Sequence, residues 1–273
     1  MSLRKRYLLL FLFLVSVVLA SLGMYYWPET YLRAARTALA QRDNEGARKA
    51  LTNYLKARPD SVEGHLLLAQ IERRANNYGE ALKHLDACPR SSDSRDAIDL
   101  ERGLIAIQQG FYTAELNALC AKHLARQDGN EYMILEAMSQ GFLKNYRLKE
   151  ALMCLQRMLV LQPDSNFALR RRAWICVKSG QFDQAEKDYR QALEIEPNDL
   201  VARQELAQIL LDIRKNAKEA AEHFERIVAE QRDSQSVMGL AKSWRILGCN
   251  EDARTMLEAW LKDNPRDALA LME

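Results

Sequence analysis

The chain has 273 residues, of which 11 are Gly and 6 are Pro; at about 4% and 2% both lie below the usual ~7% and ~5%. Scarce turn formers, with 48% hydrophobic and 28% charged residues, exclude a disordered chain, a barrel and a sandwich, and predict long helices with short connections. The net charge of +2 rests on Arg4, Lys5 and Arg6: without residues 1–27 there are 36 basic against 37 acidic side chains, which excludes a basic body that binds nucleic acid.

In chain order, residues 1–6 form a basic N-terminal segment, and Tyr7–Trp27 then runs without a charge. As a helix at roughly 1.5 Å per residue this run spans roughly 30 Å, the thickness of a bilayer core. Tyr25, Tyr26 and Trp27 at its far end suit the headgroup layer, and Pro28 and Glu29 end it. The run predicts a transmembrane helix or signal anchor over 7–27. Arg4–Arg6 would hold the N-terminus in the cytoplasm, with the remainder on the exported, extracytoplasmic side. The alternative is a cleaved signal peptide and a secreted soluble body. Its n-region would be Arg4–Arg6, its h-region Leu8–Leu19, and Val18-Leu19-Ala20 its cleavage site. Against it, apolar and aromatic residues continue past Ala20. No Cys precedes Cys88, so no lipid-modified Cys follows the run.

From residue 28 onward the sequence repeats. Pro163 and Pro197 are 34 residues apart, and Pro197 and Pro265 are 68 apart. Small residues keep the same register at Ala35, Ala69, Gly103, Ser139, Ala173, Ala207 and Ala241, and again at Ala47, Ala81, Ala151, Ala185 and Ala253. Within Asn166–Asp199, Leu169, Ala173 and Cys176 recur at helical spacing. Gly180-Gln181-Phe182-Asp183 interrupts, Ala185, Tyr189 and Ala192 resume, and Pro197 stops the run. Each unit therefore reads as two amphipathic helices joined by a tight turn, with small residues where the helices touch. Seven units follow: 28–61, 62–95, 96–131, 132–165, 166–199, 200–233 and 234–267, with a short tail over 268–273. The third unit is the weakest, and residues 90–95 before it (RSSDSR) read as the most flexible connection. Asp60 and Glu63 have capping-box spacing at the next helix start.

Leu169, Ala173, Ala185, Tyr189, Ala192 and Pro197, like Leu135, Met138, Ser139, Phe142, Ala151 and Pro163 in the unit before, resemble the tetratricopeptide repeat. Arg172 and Cys176 depart from its Leu and its aromatic. The resemblance implies an all-α fold, a right-handed superhelical α-solenoid of about seven helix-turn-helix units, preceded here by the transmembrane segment. It also implies a concave groove lined by the first helix of each unit, where such repeats hold a protein or peptide. The corresponding places are Met133, Glu136, Gln140, Leu143 and Lys144, then Phe167, Arg170, Trp174, Val177 and Lys178. They continue with Val201, Gln204, Gln208, Leu211 and Asp212, then Met238, Lys242 and Arg245.

Phe167, Arg170, Trp174, Lys178, Lys144, Gln208, Lys242 and Arg245 are the expected partner-binding residues. Trp174 is the anchor among them, because an aromatic at a groove place is a contact rather than a core residue. The charge mix favours a ligand with an apolar side chain and some acidic character.

Chemistry is sparse. GxSxG, P-loop, HExxH and CxxC patterns are missing from the sequence, so the chain reads as neither an enzyme nor a cofactor or metal carrier. The five Cys (88, 120, 154, 176 and 249) read mainly as buried small apolar residues. His84, Cys88, Cys120 and His123 have metal-ligand residue types but need not converge. His65 and His223 read as surface residues, and Asp183/Glu186 and Glu219/Glu222 as solvated helix faces. At the C-terminal end Met256, Leu257, Trp260 and Leu261 leave an apolar face. Residues 268–273 are too few to form a stable helix over it, so Leu257, Trp260 and Leu261 predict a docking face for another protein or a second copy of the chain, the alternative being that Leu269, Leu271 and Met272 fold back and cover it. The functional expectation is a membrane-anchored scaffold in the assembly of an envelope or membrane complex. The alternatives are a secreted adaptor and a non-catalytic subunit of an enzyme complex.

Overall fold

The structure, a computed structural model, describes residues 27–39, 43–89, 92–127 and 129–267. Among them are fourteen helices and no strand. The chain divides into two compact units between Arg126 and Gln127. The first holds α1 (27–39), α2 (Asn44–Ala57), α3 (Val62–Arg74), α4 (Tyr78–Asp86), α5 (Ser92–Gln108) and α6 (Ala114–Arg126). The second holds α7 (Glu131–Lys144), α8 (Leu148–Leu161), α9 (Asn166–Lys178), α10 (Phe182–Ile195), α11 (Leu200–Asp212), α12 (Ala217–Glu230), α13 (Ser234–Ile246) and α14 (Asn250–Asp263).

No helix among the described residues is long and apolar enough to cross a membrane. This overturns the expected single-pass localisation with an exported array. The apolar run that carried that expectation lies outside the described residues except for Trp27. That residue falls in α1, where its exposed ring stacks on Tyr31 with centroids 6.4 Å apart.

The helices start and stop for local reasons. Asp43, Ser61, Ser165, Asp199, Asn216 and Asp233 each accept the backbone N–H three residues ahead, capping α2, α3, α9, α11, α12 and α13; each such cap is worth ~1 kcal/mol. At α3 the cap is Ser61, not the expected Asp60, and Glu63 bonds Arg36 instead of closing a box. The box forms at Asp233 and Ser236. Pro59, Pro163, Pro197 and Pro265 each stand two residues past a helix end, where their fixed φ and missing N–H cost nothing. Left-handed residues turn the chain within the hairpins: Asn76, Gly110, Tyr146, Gly180, Lys215 and Gly248. At Gly180 and Gly248 an added Cβ would meet open space, so it is the backbone angle that favours glycine there. The stretch expected to be flexible around 90–95 is helical from Ser92 onward and opens α5.

The small-residue rows lie where the hairpins close. Ala35, Ala69, Ser139, Ala173, Ala207 and Ala241 are buried, as are Ala47, Ala81, Ala151, Ala185 and Ala253. In the first unit Leu32, Leu51, Tyr54, Leu68 and Ile71 form one core, and Ala69, Ala81, Leu85 and Ile105 another. In the second unit Leu169, Tyr189, Leu206, Leu210, Phe224, Ile227 and Leu240 build a core that continues into Val237, Ala253 and Leu257.

The interior also buries charged side chains, two ion pairs among them. Arg172, which replaces an apolar repeat residue, forks onto the buried Asp188 with both bonds at 2.7 Å, and Gln184 adds a third at 2.6 Å. Arg73 and Glu101 are both buried; Arg73 Nε donates to Glu101 Oε1 at 2.6 Å, and its Nη1 to Gln108 Oε1 at 2.8 Å.

Candidate functional site

In the second unit the first helices of successive hairpins are tied together by side chains. The Tyr132 hydroxyl on α7 bonds Ser165 Oγ at 2.5 Å, just ahead of α9. Arg170 on α9 donates to both oxygens of Asp199, the cap of α11, at 2.9 and 3.0 Å, and Asn166 adds a bond at 3.0 Å. Lys242 on α13 donates to Asp212 on α11 at 2.8 Å, and Gln208 donates to the same carboxylate. Burial pushes Asp199 upward, but the Ala202 N–H, Asn166 and Arg170 outweigh it and hold this carboxyl below the usual range. Asp212 follows the same pattern: burial raises it, and Lys242 and Gln208 more than compensate. Both aspartates are therefore charged at neutral pH and fix the spacing of α9, α11 and α13.

Four of the expected contact residues lie together on α9. Trp174 is half-buried, and the Lys178 ammonium stands 5.5 Å from its ring centroid. Phe167, one face-repeat earlier, is half-buried under the Arg171 guanidinium at 5.7 Å. A cation over an aromatic face is worth ~0.5–1 kcal/mol at such exposure. Arg170 is neutralised by Asp199, and Lys242 by Asp212, so neither offers an unmatched charge. Gln208 is engaged with Asp212. Lys144, Lys178 and Arg245 are exposed.

Sequence reasoning missed Glu205. It is half-buried on α11 and lies close enough to Lys178 and Tyr189 to act on both electrostatically. Burial holds its carboxyl above the usual range, and Lys178 opposes this. A period-34 pattern carries no signal for it, because its neighbours come from α9 and α10.

At the C-terminal end the expected docking face is smaller than its sequence implied. Leu257 is buried in the core. Trp260 is half-buried, its Nε1 donates to Asp267 at 2.7 Å, and the Arg232 guanidinium lies 5.7 Å from its ring. Leu261 is partly buried, and residues 268–273 lie outside the described residues. The largest exposed apolar side chains of this unit are elsewhere: Tyr146 before α8, and Met153 and Val160 on it.

Among the described residues no group of three or more His, Cys, Asp or Glu is placed to hold a metal. Cys88 donates to the His84 carbonyl at 3.5 Å, and His123 lies 3.8 Å from Asp96. His65, expected at the surface, is buried; its Nε2 bonds the Pro59 carbonyl at 2.8 Å and its Nδ1 faces His84 Nδ1 at 3.2 Å. His223 is half-buried beside Arg203. Asp183 and Glu186 are paired with Arg214, Glu186 also with Arg190, and Glu219 with Arg190. Ion pairs therefore engage Asp183, Glu186 and Glu219, while Asp183 and Glu222 are exposed as a solvated helix face would have them, and nothing among the described residues points to catalysis.

Tetratricopeptide repeat models match residues 32–95 and 177–244. These two stretches carry tetratricopeptide repeats. These repeats are scaffolds for protein–protein interaction. Solved structures of like fold include pilF of Pseudomonas aeruginosa, 13% identical over 92% of this chain and 97% of that one, with a TM-score of 0.51. PilW, described as a widely conserved type IV pilus biogenesis factor, is 19% identical over 77% of this chain and 96% of its own, with a TM-score of 0.52. The Cut9–Hcn1 hetero-tetramer of the APC/C matches at 15% identity and a TM-score of 0.59, over 79% of this chain and 42% of that chain. At these identities the likeness is one of fold. No curated protein matches the chain by sequence.

Proposed function

We propose that the chain is an assembly scaffold of seven tetratricopeptide repeats, bounded as 28–61 through 234–267. The face made by α7, α9, α11 and α13 would bind an extended or helical segment of a partner protein. The observation that carries this reading is Trp174: a large ring on a first helix, only half-buried, with the Lys178 ammonium over it. Buried aromatics of this kind supply interface hot spots. Asp199 and Asp212 hold the three helices at fixed spacing, so the face is ordered before binding, which lowers the entropic cost of association. Because Arg170 and Lys242 are internally neutralised, the acidic part of the ligand meets Lys144 and Lys178, both exposed. An apolar ligand side chain lies on Trp174 and Phe167.

The test is photo-cross-linking from position 174 in the native host, identification of the captured protein, and titration of its segment against parent and Trp174→Ala chains. The expected loss is about tenfold or more in affinity, the hot-spot range of ≥ 2 kcal/mol being reached if the ring is fully covered. Helicity and melting temperature change little. Undiminished affinity in Trp174→Ala, or a loss fully explained by unfolding, overturns this reading.

A further inference from the structure

Beside the carbonyl of Pro197, helices α10, α11 and α12 line an open cavity of about 280 Å³. Its polar lining comprises Arg190, Glu194, Arg203, His223 and Arg226. Arg190 is satisfied: it donates to Glu219 at 2.5 Å and to Glu186 at 3.0 Å. Arg203 is not. Only 5% of it is exposed, yet its Nε–H has no partner among the described residues. One Nη2–H meets the Pro197 carbonyl, and Nη1 reaches His223 Nδ1 at 3.4 Å. A guanidinium presents five N–H donors; these two bonds use one on each Nη and leave the Nε–H unmatched. Arg226 stands at the exposed mouth of the cavity on α12. Glu194 is the one acid in the lining, against two arginines that no carboxylate among the described residues grips.

We propose that this cavity is a binding site for a dianionic phosphate group, gripped by Arg203 from within and by Arg226 at the mouth, with His223 at its edge. A buried cation with unsatisfied donors is costly, and an anion is what satisfies it. Two unmatched guanidinium charges fit a dianion better than a single carboxylate, and planar Arg forks suit phosphate oxygens. The volume is several times the ~30 Å³ share of one water, which leaves room for a phosphate and part of whatever bears it.

His223 supplies an internal reporter. Burial and then Arg203 hold its imidazole below the usual histidine range; Arg190 and Arg226 act in the same direction, and Glu219 acts against them. Glu194 faces it across the cavity, while Asp199 and Glu230 act on Arg203. A bound dianion opposes the three arginines and so favours the imidazolium. Occupancy therefore raises the pKa of His223.

The experiment uses the full-length chain with inorganic phosphate, O-phosphoserine and acetate in turn, at constant ionic strength set with NaCl. It follows the melting temperature and the His223 NMR titration. Phosphate or phosphoserine is expected to raise the melting temperature saturably and to move the His223 pKa up by about one unit. Arg226→Ala, a change at an exposed position, is expected to leave the ligand-free melting temperature in place and to weaken binding about tenfold. A response to phosphoserine alone assigns the site to an organic phosphate, and a response to inorganic phosphate alone or to both assigns it to the free ion or to the shared group. An equal response to acetate, no response to either phosphate, or full binding by Arg226→Ala overturns the proposal.

Discussion

Arg73→Ala is expected to cost the first unit about 3–5 kcal/mol, because it strands a buried carboxylate. Glu101 is 1% exposed, and among the described residues the bond from Arg73 Nε is its only hydrogen bond and its Oε2 has no partner. Removing the guanidinium also leaves the Gln108 amide oxygen without the 2.8 Å donor it has now. The pair bridges α3 and α5, so the damage should reach both helices and spread to neighbouring hairpins, as coupling between adjacent repeats requires. Hydrogen exchange over α3 and α5, with denaturant unfolding, measures it. The double variant Arg73→Met/Glu101→Leu is expected to recover most of the loss, since an apolar pair of similar volume replaces two desolvated charges. A loss below about 0.5 kcal/mol in Arg73→Ala would show that water reaches the pair.

Phe224→Ala is expected to be comparably severe, about 3–5 kcal/mol, since its ring is fully buried between α11, α12 and α13 and would leave a cavity. The opposite insult falls on the same spot. Gly239 on α13 packs its bare Cα on that ring, so an added Cβ would overlap three of its carbons. Gly239→Ala therefore costs about 1–3 kcal/mol through overpacking, although alanine is the better helix former. Phe224→Leu/Gly239→Ala should lose less than the sum of its singles, because the shorter side chain makes room for the methyl. Additive losses in urea unfolding would mean that the two positions do not share the space.

The hairpins were legible because close helix contact demands small side chains, and a fixed period repeats that demand. Ala173 and Ala185 stand out in the sequence for the reason that they are buried in the structure. What could not be read is pairing across 16 to 33 residues. Arg172 is a blemish in the repeat pattern until Asp188 is seen beneath it. Arg170 and Lys242 read as ligand contacts because they fall at groove places of the repeat; Asp199, just ahead of α11, and Asp212, at the end of α11, neutralise them from another hairpin. His65 looked solvated, its partners being the Pro59 carbonyl and a histidine on the following helix. Trp174 stands half-buried on α9, at the place that the resemblance to the repeat assigns it.

The cysteines carry a practical consequence. Cys88, Cys120, Cys154 and Cys176 are buried, and burial raises each thiol, to about 11 at Cys120 and Cys154. Cys249 alone of the five is exposed, in the turn before α14. Because the thiolate is the species that alkylates, a maleimide dye at neutral pH should mark the folded chain once, at residue 249, without any engineered cysteine. The other four would take up label only as their helices open, so the stoichiometry of modification becomes a clock for the loss of each hairpin.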